Sequence, residues 1–313
     1  MNAHSPTPSL AEFLSWPIER IAAQVREESL VCVFPINGTR RWFMLEYPEL
    51  AGKELAGDYL AIAGQRHVEL YRLFLEHGVE TLLTPIFGPD LLDRGDEYRK
   101  LMVPALMWFA RDPVFLRFYD QYGVRVRVYG DARRTFAGTP YEAALDAFDE
   151  LQQRTAQHTR FRLFFGVCAH DPAETVAEIG VSFQQARGRL PTKPEIVEAY
   201  YGEAVNPVSL FIGFDRPTAF DMPLIATGSE DLYFTVSPSP YLDEQTLRSI
   251  LHDHLHARRI DDSGYEHLTA EDIQAMQAFY RQNQHSVLGL GKQHRSGAFW
   301  YPTTQVSGTT DLE

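Results

Sequence analysis

Along this chain, short runs of continuous apolar residues alternate with longer stretches in which apolar side chains recur every three or four positions. The first kind reads as strands buried on both faces, the second as helices with one face on a core. Strands are expected at 29–36, 79–87, 161–169, 208–214 and 231–236, and at 123–131, where Val and Arg alternate. Helices are expected at 57–78, closing on Gly78, at 97–110 around Pro104, and at 141–158, 171–186, 192–202, 243–259 and 269–283. This alternation predicts an α/β fold: a central, mostly parallel β-sheet flanked by helices. No repeat, long linker or low-complexity tract interrupts it. Residues 1–313 are therefore expected to form one domain, with the Gly-rich tail from about 288 packing back on the body.

Composition narrows the classes. The chain is 44% hydrophobic and carries a net charge of −13, which suits a globular protein and argues against a general nucleic-acid binder, since that needs a basic face. No apolar run reaches the ~18 residues of a membrane span. The first residues lack the basic and apolar blocks of a secretory leader, so a cytoplasmic protein is expected. Cys32 and Cys168 lie in apolar, strand-like runs and read as buried free thiols.

The first expected strand leads into "FPINGTRRWF", residues 34–43. In an open parallel sheet, ligands gather at the carboxyl ends of strands. Gly38 lets the backbone approach an oxyanion, and Arg40 and Arg41 offer fixed donors and positive charge for a diphosphate. Two arginines on a solvated turn would look the same locally. The nucleoside-triphosphate P-loop pattern is absent. The next strand ends in 85–98, which brings Asp90, Asp93, Arg94 and Tyr98 toward the same edge. His252 and His256 share a helix face, but the order His-Asp-His-Leu-His does not match the zinc pattern H-E-x-x-H. A face near a partner surface is expected there instead.

Together these stretches resemble the cis-prenyltransferase family, whose first motif has the form D-G-N-x-R-W; here the segment reads Asn37-Gly38-Thr39-Arg40-Arg41-Trp42. Residues 124–131, 194–212 and 230–235 resemble further segments of that family. The likeness is closer to its mycobacterial tuberculosinol synthase and tuberculosinyl transferase branch, through 38–43, 74–87, 90–98, 198–203, 211–224 and 232–239. The resemblance implies a cis-prenyltransferase-like fold, a homodimer, a prenyl diphosphate substrate and Mg²⁺. It makes Gly38, Thr39, Arg40, Arg41 and Arg94 diphosphate ligands and places Tyr59 and Tyr98 at the reaction centre. Trp42 and Trp300, with Phe299, are candidate pocket walls for a carbocation.

Two departures shape the reading. The arginine-rich cluster that chain-elongating members use for isopentenyl diphosphate is missing; 213–224 holds only Arg216. A terpene synthase or prenyl-type transferase is therefore expected, releasing diphosphate and quenching the cation by proton loss, water or a bound nucleophile. The alternatives are a chain-elongating enzyme and a silent subunit of the same fold. Second, Asn37 stands where the family has Asp. An amide oxygen is a weak Mg²⁺ ligand, because one charge at ~4 Å is worth about 4 kcal/mol at an effective dielectric near 20. Asp90, Asp93, Glu230 and Asp231 are candidate replacement carboxylates.

Overall fold

The six expected strands pair into one sheet: β1 (Val31–Val33), β2 (Thr81–Phe87), β3 (Val124–Tyr129), β4 (Phe161–Val167), β5 (Leu210–Phe214) and β6 (Asp231–Thr235). Their order is β3-β4-β2-β1-β5-β6, and every pairing is parallel. The computed structural model describes residues 7–50, 57–88, 91, 95–258, 268–303 and 305–307.

Between the strands lie α1 (Leu10–Ser15), α2 (Ile18–Glu27), α3 (Thr39–Glu46), α4 (Gly57–Glu76), α5 (Gly95–Arg111), α6 (Pro113–Tyr122), α7 (Ala132–Phe136), α8 (Glu142–Arg154), α9 (Ala173–Arg187), α10 (Lys193–Tyr201), α11 (Glu244–His252) and α12 (Ala270–Asn283). The long helices fall where the periodicity places them. α1, α2, α3, α6 and α7 are additions. α1 carries a readable start signal, since Ser9 and Glu12 cap each other reciprocally.

Each strand feeds two cores. Cys32, Leu82, Leu163 and Ile212 face one layer of helices, whereas Val31, Val33, Leu83 and Phe211 face Tyr200 and Tyr201 of α10. That is why the strands read as unbroken apolar runs rather than alternating ones. Both cysteines are buried and free, and burial pushes the Cys168 thiol up to about 11.

The chain runs from β1 to one side through β2–β4 and then crosses to β5 and β6 on the other. The loop after β1 therefore sits where the strand order reverses, the usual ligand position in an open sheet. The tail forms a small antiparallel pair, β7 (Gly291–Gln293) and β8 (Trp300–Pro302). His252 and His256 do not form an outer face: both rings pack on Phe13, and His252 bonds the Pro8 carbonyl at 2.8 Å.

α4 and α5 approach closely because Gly64 has no side chain. A Cβ there would lie 1.7 Å from the Trp108 ring. Gly64→Ala is expected to cost about 1–3 kcal/mol by overpacking. Urea unfolding checks this, and an unchanged midpoint would show that Trp108 swings clear.

Candidate active site

The ladder from β1 is prolonged by the Phe34 amide, which donates to the Leu83 carbonyl at 2.8 Å. The chain then turns at Gly38, with φ +77°. A Cβ here would sit 2.8 Å from the Phe214 ring, so backbone angle and space both demand glycine. Gly38 is the N-cap of α3 and offers no capping side chain. The Thr39 hydroxyl bonds back to the Ile36 carbonyl at 3.1 Å. The first-turn amides of α3 thus keep their donor capacity at the carboxyl edge of the sheet.

Ser239 clamps this turn. Its amide donates to the Asn37 carbonyl at 3.0 Å and its hydroxyl to the Pro35 carbonyl at 3.2 Å, while the Asn37 amide donates to that same hydroxyl at 3.2 Å. The next residues, Pro240 and Leu242, offer their carbonyls to Arg66 of α4 at 2.8 and 3.1 Å. Tyr241 reaches Glu46 at the end of α3. Nothing in the local sequence marks Ser239, because its partners lie some two hundred residues away.

The turn opens onto a cavity of about 590 Å³. Its rim is Asn37, Gly38, Thr39 and Arg40 with His170, Phe220 and Asp221 opposite. Its body is Tyr59, Leu60, Ala63 and His67 from α4, Met102, Ala105, Trp108 and Phe109 from α5, and Thr84–Gly88 with Leu91. A polar mouth above a largely carbon-lined interior suits a ligand with an anionic head and an apolar body.

Of the expected site residues, Asn37, Gly38, Thr39, Arg40 and Tyr59 meet at this cavity. Tyr59 is wedged edge-on against Phe43 of α3, ring centroids 5.1 Å apart. Arg41 points elsewhere. Its guanidinium lies 3.7 Å from Asp215, 3.5 Å from the Ala298 carbonyl and 5.3 Å from the Phe214 ring centre. Helical residues advance about 100° each, so Arg40 and Arg41 cannot share a direction. The same geometry turns Trp42 inward against Tyr47, away from the cavity. Trp300 covers Gly291 in the tail pair and does not line the cavity either. Arg94, Tyr98, Asp90 and Asp93 lie outside the residues, or side chains, that the structure describes.

The candidate carboxylates Glu230 and Asp231 have other work. Glu230 accepts from the Gly228 amide in a turn, and Asp231 pairs with His254 at 2.7 Å at the start of β6, the far end of the sheet. Asp221 is the carboxylate that reaches the rim. Its main-chain carbonyl is held by the Tyr129 hydroxyl at 2.7 Å.

The chain is 40% identical over 287 residues to tuberculosinyl adenosine transferase of Mycobacterium tuberculosis, an alignment covering 90% of this chain and 95% of that relative. It is 30% identical to (+)-kolavelool synthase of Herpetosiphon aurantiacus, over 95% and 96% of the two chains. The chain belongs to this family of terpene synthases and prenyl-type transferases. No family model matches the sequence. The family's fold is that of the cis-prenyltransferases. Lavandulyl diphosphate synthase from Lavandula x intermedia superposes with a TM-score of 0.55 over 72% of this chain and 94% of its own. A probable undecaprenyl diphosphate synthase from Campylobacter jejuni does so with 0.51 over 75% and 98%. At 14% and 10% identity these two speak to the fold alone.

The clamp gives a direct expectation for this family member. Ser239→Ala strips a donor and an acceptor from a buried turn, at a cost of about 1–3 kcal/mol. Loosening the Asn37–Arg40 rim is expected to raise KM for a prenyl diphosphate more than it lowers thermal stability. Steady-state kinetics beside a melting curve check this, and an unchanged KM would free the rim from Ser239.

Proposed function

We propose that the chain ionises a prenyl diphosphate, diterpenyl or sesquiterpenyl in length, and quenches the resulting carbocation inside the cavity. The single observation that carries this reading is the cavity itself: anion donors at its mouth and apolar walls below. Arg40 and the first-turn amides of α3 stabilise the charge that develops on the departing diphosphate. The walls exclude water from the cation, and the Tyr59, Trp108 and Phe109 rings supply π faces within reach of it. The roles of Arg94 and Tyr98 as a further diphosphate ligand and a reaction-centre phenol belong to the same proposal, resting on the family resemblance.

The rim also bears on Mg²⁺. The Asn37 amide oxygen and the Asp221 carboxylate border one mouth, and both are oxygen donors of the kind a hard cation takes. With one carboxylate between them, they fit an ion held mainly by the substrate's own diphosphate. Such an ion would add charge stabilisation at the leaving group. Asn37 contributes a neutral oxygen, or a donated N–H to the diphosphate. The reading includes a homodimer, supported by the exposed Ile273, Met276 and Tyr280 on α12.

Purified protein incubated with farnesyl, geranylgeranyl and bicyclic diterpenyl diphosphates should release inorganic diphosphate without isopentenyl diphosphate. Dependence on isopentenyl diphosphate would instead establish chain elongation, and no release from any of them would sink the proposal. Arg40→Ala is expected to lower turnover ~100-fold, the scale of a lost donor to a developing anion. Arg41→Ala should cost less, because Asp215 already engages that guanidinium. Asn37→Asp is expected to steepen the Mg²⁺ dependence, read as turnover against metal concentration; an unchanged curve would place Asn37 away from the ion.

A further inference from the structure

Two polar side chains, His67 and Thr84, interrupt the carbon walls of the cavity. His67 of α4 is buried and lines the cavity. Its Nδ1 lies 2.7 Å from the Ala63 carbonyl. A carbonyl can only accept, so Nδ1 carries the proton and Nε2 presents a lone pair. Among the described residues, Nε2 has no hydrogen-bond partner. Thr84 of β2, fully buried, lines the same cavity. Behind Thr84, the fully buried Tyr71 of α4, one helical turn beyond His67, turns its hydroxyl toward the Thr84 side chain. Leaving a buried lone pair such as that of Nε2 unmatched is costly, so its persistence in a cavity wall points to a task.

The positions of His67 and Thr84 are fixed by two independent elements. Thr84 follows Leu83, the partner of Val33, and so stands beside Phe34, before the turn that carries Asn37. His67 is eight residues, ~12 Å, along α4 from Tyr59. His67 thus stands about two helical turns from Tyr59, apart from the rim residues 37–40 where the diphosphate is proposed to sit.

We propose that His67 is the proton acceptor that ends the reaction, drawing a proton from the body of the cation rather than from its allylic head. A C–H bond next to the cationic carbon breaks, its electron pair becomes the new C=C bond, and the proton forms a bond to Nε2. The imidazolium returns that proton to solvent as product leaves. Thr84 stands in the same wall and adds an oxygen dipole near the transient positive charge. The inference rests on the prenyl diphosphate reading and adds that charge migrates down the chain before it is quenched. Burial holds the imidazole down at about 4, so it waits in its neutral form. Even so lowered, it is a far stronger base than the alkene a carbocation leaves behind.

The test uses the full chain with geranylgeranyl and farnesyl diphosphates, measuring inorganic diphosphate release and, by mass spectrometry, the terpene products. His67→Asn keeps a donor for the Ala63 carbonyl, and His67→Phe keeps ring volume; both remove the base. Diphosphate release is expected to fall less than about threefold, while the main product's share falls at least about tenfold in favour of other cation exits. Thr84→Val is expected to shift products in the same direction by a smaller factor. An unchanged product spectrum in both His67 variants overturns the proposal. So does loss of diphosphate release in folded variants, which would put His67 in ionisation instead. A wild-type chain that releases no diphosphate from either probe overturns the functional reading and this inference together.

Discussion

The site depends on one turn that only glycine can make. Gly38 adopts a left-handed angle hard against Phe214, and from that geometry α3 starts with its amides and Arg40 at the cavity mouth. A side chain there would have to displace an aromatic ring of β5 and also pay the left-handed penalty, of order 1 kcal/mol. The clamp from Ser239 then removes the remaining freedom of the turn. A donor that helps catalysis must be in place before charge develops, since reorganising it during the reaction would consume the gain. Rigid support from β5 and from 239–241 supplies that condition.

The cavity divides labour along its length. Arg40 and the first turn of α3 stand at the mouth with Asp221, and carbon surface makes up most of the remaining lining. This order matters for a carbocation, which must be separated from water yet formed beside an anion. A uniformly polar pocket would hydrate the cation at once, and a uniformly apolar one would not let the diphosphate leave. The few lone pairs set deep among the walls, on His67 and Thr84, are therefore the positions where a wandering positive charge has somewhere to go.

How much of this could be read from the sequence depends on the range of the forces involved. The strands and the long helices were legible because each is set by local pattern: β2 and β4 as apolar runs, α4 as a periodic stretch closed by Gly78. α3 was hidden because its N-cap is a glycine and it has only eight residues, too few for the period to stand out from a loop. Asn37, Gly38 and Arg40 of the motif line one cavity, yet one residue of helical rotation is enough to send Arg41 to Asp215. His67, Thr84, Asp221 and Ser239 carry no local mark. They join the site only because α4 packs on β2 and because 239–241 folds across the first loop.

Arginine alone is no guide to where an anion binds in this chain. Arg125 and Arg127, on one face of β3, and Arg162 of β4 converge on the single carboxylate of Glu203, at 2.9, 3.1 and 3.7 Å. Arg162 also bonds the Thr81 hydroxyl and the Ala204 carbonyl. Thr81, Arg125 and Arg162 open their strands, so this cluster ties the amino-terminal end of the sheet together, and its donors are directed at protein oxygens. At the carboxyl end, Arg40 lines the cavity beside the first turn of α3. An arginine's role therefore depends on the strand end it occupies and on the acceptors within its reach. Both are properties of the folded sheet, not of the dipeptide Arg40–Arg41 or of the alternating segment in β3.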